Sequence, residues 1–421
     1  MARKALRLGS VLSVLALFSA PVLALPFAPI EPVSYALGGT GVSSAPNTNA
    51  GFLNPALLAI NQGEKAELLP TVVLGYRYFD KQNVLDSVYS YQNIGVEEIY
   101  DTTLNDFKLG KYIEIDGVPS SGQSIATIGG AASGIRSRFV EMADKPIQQE
   151  YMAAMVVAIP HDKLNMSFSL GRKMLGGALV DITDSDLNEL DRIVEVIEDP
   201  ETSLSEDETF DASQFTSRFR GRGLTSTEFG LSMAQNYTFA GHDIAVGITP
   251  KFILATSFDY AEPINTTDFR TDLGTKNNSA FDVDVGAAKS YGNGWSAGVA
   301  IKNLIGQKYK TSLGNEIRIR PQARIGVSHA MKWAAVAVDL DLNKSESLGF
   351  DSQTQYLGIG AELNVFDMST IRIGYRSNLS DVDTSVATVG FGIKVYGVQL
   401  DLAAGANENE VDVAASAAYQ F

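Results

Sequence analysis

The chain has 421 residues, 45% of them hydrophobic, with no cysteine, three histidines and a formal net charge of −16. Such a length supports a large core, and the missing cysteines exclude a disulfide scaffold or a thiolate metal site. The acidic surplus excludes nucleic acid as a partner, because binding phosphate needs a basic face.

At the amino terminus, Arg3, Lys4 and Arg7 precede the apolar run 11–18, and Val22-Leu23-Ala24 follows. This is the pattern of a secretory signal cleaved after Ala24. No later stretch reaches the roughly 18–20 consecutive apolar residues of a membrane-spanning helix. An exported chain can still cross a membrane as a closed barrel, since only helices and closed barrels satisfy every backbone polar group in lipid. Residues 26–62 are not strand-like. Gly38-Gly39-Thr40-Gly41, Asn47, Asn49 and Asn54-Pro55-Ala56 punctuate them as a compact, turn-rich segment. The Gly-Gly-x-Gly run lacks the lysine and the βαβ setting of a phosphate loop.

From residue 67 onward, period-two alternation predicts strands at 67–79, 150–159, 163–172, 224–239, 243–259, 278–290, 294–304, 315–330, 332–343, 353–365, 368–378, 385–395, 397–405 and 409–421. Their connectors alternate between short turns and longer loops. An even number of strands with turns at one end and loops at the other is the pattern of a bacterial outer-membrane barrel. The faces agree. In 278–290, Phe281, Val283 and Val285 oppose Asp282 and Asp284. In 332–343, Val336, Val338 and Leu340 oppose Asp339 and Asp341. In 315–330, Ile317, Ile319, Ile325 and Val327 oppose Arg318, Arg320 and Arg324. Arginine or lysine on a lipid face costs roughly 2–4 kcal/mol at the midplane, so the charged sides are assigned to the lumen. The expected lumen network is Arg318, Arg320, Arg324, Glu362, Arg372, Arg376, Lys394, Asp401 and Asp412.

The two longest connectors, 80–149 and 173–223, are expected outside the cell. Within the second, Leu187, Leu190, Ile193, Val194 and Ile197 form one helical stripe over 184–198, with Asp184 as N-cap. The acidic span around it has no Asp-x-Asp-x-Asp-Gly loop and reads as a solvated face. His161, His242 and His329 all fall at or near short turns, which argues against an enzyme and against a metal site. No cofactor is expected. The last strand alternates through Tyr419 to a terminal Phe421, the ending of a chain that carries its own assembly signal.

The run from Ser34-Tyr35-Ala36-Leu37-Gly38-Gly39-Thr40-Gly41-Val42 through Asn54-Pro55-Ala56 resembles the amino-terminal hatch of the long-chain fatty-acid transporter (FadL/OMPP1-like) family. The pieces Ile371-Arg372-Ile373-Gly374-Tyr375-Arg376 and Tyr396-Gly397-Val398-Gln399-Leu400-Asp401 resemble the branch labelled TraF-type plasmid-transfer protein. The resemblance implies an all-β transmembrane barrel of about 14 antiparallel strands, with a hatch in its lumen and helical insertions in long extracellular loops. It divides the chain into a signal peptide at 1–24, a hatch at 25–66 and a barrel at 67–421. It places the protein in the cell outer membrane as a passive channel for hydrophobic or amphipathic molecules, with a structural or assembly barrel as the alternative. The gate would then be Gly38, Gly39, Gly41, Asn54, Pro55 and Ala56. The expected partners are outer-membrane lipid and lipopolysaccharide, the barrel-assembly machinery and a hydrophobic small molecule. The charged lumen faces depart from a wholly apolar path.

Overall fold

A computed structural model describes residues 27, 30–60, 69–93, 114–115, 118–119, 121–159, 161, 164–198, 214–239, 241–264, 274–345, 348–350, 353–366 and 368–419. Alternating sequences with one apolar side close into a barrel here because an open edge would leave backbone groups unpaired in lipid. The wall runs β1 (Leu69–Asp80), β4 (Ile147–Ile159), β5 (Asn165–Asp181), β6 (Arg218–Phe239), β7 (His242–Pro263), β8 (Thr275–Ser290) and β9 (Trp295–Lys302). It continues through β12 (Gln322–Ala330), β13 (Ala334–Asp341), β14 (Tyr356–Val365), β15 (Ser369–Asn378), β16 (Val386–Val395), β17 (Val398–Ala406) and β18 (Glu410–Tyr419). Every wall pairing is antiparallel and β1 pairs with β18, for example Arg77 with Asp412, which closes the sheet. A two-residue pair, β2 (Glu114–Ile115) and β3 (Val118–Pro119), lies outside the wall.

The two faces of the wall differ as lipid and lumen require. Val72, Leu74, Phe252, Leu254, Ile371, Ile373, Val411 and Val413 are each 45–56% exposed on the outside. Arg77, Asp282, Asp339, Arg372 and Asp412 are each 5% exposed or less on the inside. Strands β14 to β18 have 9–10 residues, about the 9–11 a tilted strand needs to cross a bilayer. Strands β5 to β8 have 16–22 and therefore stand above it, so the wall is taller on that side.

One expected strand does not form as read. The stretch 315–330 splits at Pro321. Its second half is β12, while β11 (Glu316–Ile319) pairs only with β10 (Gln307–Lys310) in a separate hairpin. Ile317 and Ile319, expected to face lipid, are 3% and 5% exposed and pack inside the lumen. A dry apolar layer in the lumen selects the same alternation as lipid does.

Among the described residues, three helices form a cap over the long-loop end: α4 (Val84–Asn93), α5 (Ser121–Met142) and α6 (Asp184–Glu198). Phe139, Met142 and Ile135 of α5 pack with Leu190 of α6, Phe215 and Ile264 in one apolar cluster. The Leu187 N–H bonds the Thr183 carbonyl (3.2 Å), so Thr183, not Asp184, holds the N-cap position. Three short helices, α1 (Pro32–Ala36), α2 (Ala50–Leu53) and α3 (Leu57–Ile60), lie inside the barrel. Every residue from 30 to 43 is buried.

Candidate functional site in the barrel lumen

The segment 30–60 occupies the lumen and is seated on two sides of the wall. On one side α1 packs against β15 to β18. The Glu31 carboxylate caps α1, accepting from the Val33 and Ser34 N–H groups at 3.0 and 2.9 Å. Burial raises the Glu31 carboxyl above its ordinary range in spite of those bonds. Gly38 follows with φ +70, and a Cβ there would meet the Tyr375 and Ile359 carbonyl oxygens at 2.5 and 2.7 Å. Only glycine suits that backbone at that separation.

On the other side Asn54 is fully buried and uses its whole amide. Nδ2 donates to the Val42 carbonyl (2.7 Å) and the Ala287 carbonyl (3.3 Å), and Oδ1 accepts from the Ala56 N–H (3.1 Å). The wall beneath is cut away to receive it. A Cβ on Gly286 would lie 1.9 Å from Asn54 Oδ1, and one on Gly247 would lie 2.4 Å from the Ala56 nitrogen. The Asp339 carboxylate accepts from the Gly41 and Val42 N–H groups at 2.8 and 2.9 Å, and Arg324 donates to the Gly39 carbonyl at 2.7 Å.

The lumen charges form ion pairs. Arg372 bridges Glu362 (2.8 Å) and Asp401 (2.7 Å). Arg324 pairs with Asp341 at 2.6 Å. Arg376 pairs with Glu410 (2.5 Å) and Asp412 (3.4 Å), and Arg77 with Glu150 (2.8 Å), Glu410 (3.1 Å) and Asp412 (3.3 Å). The Tyr35 hydroxyl of α1 donates to Asp412. Ion pairs this buried fix geometry more than they add stability. They line the β1/β4 and β12–β18 side, where a cavity of about 310 Å³ opens between Arg77, Gln148, Thr354 and Tyr356.

The β5–β9 side has its own charged layer. Lys173 pairs with Glu228 (2.7 Å) and Lys251 with Asp284 (2.8 Å). Lys302 donates to the Phe52 carbonyl of α2 (2.8 Å). A cavity of about 50 Å³ remains between these groups and Phe52, Gly51 and Met152. Above the charged layer, Leu175, Leu224, Ile253, Ala255 and Leu348 meet Tyr309, Ile317 and Ile319 of the β10–β11 hairpin.

Of the nine charges expected to share the lumen, Arg324, Glu362, Arg372, Arg376, Asp401 and Asp412 are joined in these clusters. Three are corrected. Arg318 lies in the hairpin, 40% exposed along its side chain, and pairs with Glu316. Arg320 falls between β11 and β12 rather than on a wall strand. Lys394 is exposed near the end of β16, two residues from the turn at 396–397. Tyr419 is 44% exposed on the outer face, and Phe421 lies outside the described residues, as do the signal segment and most of the acidic stretch after α6. The missed residues are Arg77, Glu150, Glu228, Lys251, Lys302 and the wall glycines. Their inward parity was readable, but their partners sit on strands that only closure brings together. Among the described residues no group of histidines and carboxylates is placed to hold a metal ion.

Residues 51–341 match the family model described as "F plasmid transfer operon, TraF, protein". The chain belongs to this family. No curated protein matches the TraF-family chain. Among solved structures it is similar to the Ralstonia pickettii toluene transporter TbuX, at TM-score 0.50 and 13% identity over 94% of this chain and 98% of that one. It is likewise similar to the P. putida toluene transporter TodX, at TM-score 0.51 and 10% identity over 94% and 99%. A Pseudomonas aeruginosa FadL homologue matches at TM-score 0.50 and 11% identity over 95% and 100%. At these identities the likeness is one of fold. The TraF-family chain is a fourteen-strand antiparallel barrel of the FadL type.

Proposed function

We propose that this TraF-family barrel is an outer-membrane channel through which hydrophobic or amphipathic small molecules pass passively. The supporting observation is the layering of the lumen on the β5–β9 side. An apolar layer lies over a charged layer, and a cavity of about 50 Å³ lies between that layer and the hatch, beside the contact of Lys302 with Phe52. An apolar group leaving water for the upper layer gains roughly 25 cal/mol per Å² buried, while the charged layer meets a polar group. The solved neighbours named above include transporters of toluene, which favours the same reading. Passage requires only a local shift of the hatch, with Asn54-Pro55 as the pivot. The barrel sits in outer-membrane lipid and lipopolysaccharide, with its long loops outside, and is inserted by the barrel-assembly machinery, which reads the carboxyl-terminal segment with Tyr419 and Phe421.

The test is uptake of labelled fatty acid or aromatic hydrocarbon by cells carrying the intact protein, an Asn54→Ala/Pro55→Ala variant, or neither. Uptake should follow the intact protein and change in the variant. Equal uptake in all three, with the barrel assembled, would favour the second reading: a structural or assembly barrel of the envelope or of a plasmid-transfer system. That reading draws its support from the ion pairs that line the opposite half of the lumen and from the family's description.

A further inference from the structure

In the β10–β11 hairpin, β11 stands where the sequence predicts membrane wall and β10 where it predicts a loop. Its strands have four residues each and pair only with one another. A two-stranded hairpin is marginal alone, so its place depends on its contacts. One set is apolar: Tyr309, Ile317 and Ile319 press on Leu175, Leu224 and Ile253 of the wall. The other is polar: Gln307 Nε2 donates to the Phe281 carbonyl of β8 (2.8 Å), and a latch forms on Asp259 of β7. The Asp259 carboxylate accepts from the Thr311 hydroxyl (2.7 Å) and the Asn315 amide (2.8 Å), and its carbonyl accepts from the Ser312 hydroxyl (2.9 Å).

Tyr309 is a misfit in this seat. It is 2% exposed, yet its hydroxyl has no hydrogen-bond partner among the described residues. A buried tyrosine hydroxyl ordinarily finds one, and leaving it unpaired is costly. Glu228, Asp282 and Lys251 are near enough to act on it electrostatically, and burial together with those two carboxylates pushes the phenol up to about 12. The ring is thus held in an apolar pocket whose polar edge it faces but does not bond.

We propose that the β10–β11 hairpin is a displaceable lid, and that Tyr309 occupies a binding site for a small hydroxylated aromatic molecule. The aliphatic side chains of β5, β6 and β7 take the arene. The edge formed by Lys251, Glu228 and Asp282 takes the hydroxyl, which a free molecule can bring within bonding distance and a tethered tyrosine does not. The lid opens when the hydrogen bonds to Asp259 and to the Phe281 carbonyl release, with the hatch still seated. The proposal rests on the channel reading for its purpose and names the substrate class of that path.

The probe is p-cresol, the tyrosine side chain cut at Cβ. Binding is measured by calorimetry on the purified full-length protein in detergent, with folding checked by heat-modifiable migration. Tyr309→Ala should bind p-cresol at least tenfold more tightly than the native protein, and should bind toluene more weakly than p-cresol. Asp259→Ala, which unlatches the lid without vacating the site, should bind severalfold more tightly than native. Tyr309→Leu, which fills the pocket, should gain nothing. In native protein, p-cresol should speed tryptic cleavage after Lys308 and Lys310 severalfold. No gain in either Tyr309→Ala or Asp259→Ala, equal affinity for toluene, or unchanged cleavage would overturn the proposal. If Tyr309→Ala does not assemble, Asp259→Ala against Tyr309→Leu carries the same comparison. Binding without cellular uptake would remove the channel reading and leave the site; uptake with no binding in any variant would do the reverse.

Discussion

Asn54 shows how much of the hatch seat rests on single atoms. Replacing it with alanine leaves the Val42 carbonyl without its buried donor and frees the Ala56 N–H. Each buried group left unpaired costs about 1–3 kcal/mol. Asn54→Ala should therefore leave the barrel heat-modifiable but expose 46–58 to protease. Gly286→Ala approaches the same seat from the wall. Its Cβ would overlap Asn54 Oδ1, and overpacking of this kind costs about 1–3 kcal/mol. It should loosen the same segment although it touches no polar group of its own. At Arg77 the charge matters more than the volume. Arg77→Met strips one cation from Glu150, Glu410 and Asp412 together. Breaking a buried pair costs about 3–5 kcal/mol, so the temperature at which the folded band converts on gels should drop clearly. Asn54-Pro55 stood out in the sequence because the proline restricts its own backbone and that of the asparagine before it. Gly286 did not, since a glycine on an inward face looks the same whether it clears space for water or for a hatch.

Among the elements, α6 offers a pH prediction. Burial alone would raise the Asp186 carboxyl, but hydrogen bonds from Ser217 and Thr216 outweigh it and hold the group below the usual carboxylate range. A lowered native value means that the stabilisation is fully present above the unfolded value near 3.9 and fades as pH falls through the native one. Lowering the pH from about 5 to about 2.5 should reduce the protection of the Thr216 and Ser217 amides, taken as their exchange relative to an unstructured peptide at the same pH. In Asp186→Asn those amides should be equally poorly protected at both values. Protection as high in the variant as in the native protein would show that the carboxylate does not hold the cap. The helix itself was legible, since the stripe through Leu187, Leu190 and Val194 has period 3.6. The hairpin was not. Ile317 and Ile319 alternate with arginines as a lipid-facing strand would, and nothing local distinguishes a dry lumen from a bilayer. Only Pro321, which lacks a ladder donor, marked the break.

For the whole molecule, the even strand count and the segregation of turns from loops carried the reading to the right fold. Each wall strand reports its own two environments, and turn residues report where it stops. The orientation makes a direct prediction. Protease added to intact cells should cut within 81–146 and 182–217, and cutting only after the outer membrane is permeabilised would invert the barrel. Deleting Phe421 should lower the amount of heat-modifiable barrel in outer-membrane fractions, and unchanged assembly would count against an assembly role for that residue. The closing seam carries a further consequence. Arg77 and Asp412, 335 positions apart in sequence, meet across the first and last wall strands, and Tyr35 of the hatch bonds the same Asp412. Contacts of such long range form late, because loop closure must precede them. Closure with α1 in place gives Asp412 its tyrosine as it meets Arg77 and Arg376, whereas a barrel that closed empty would bury the same carboxylate without that donor.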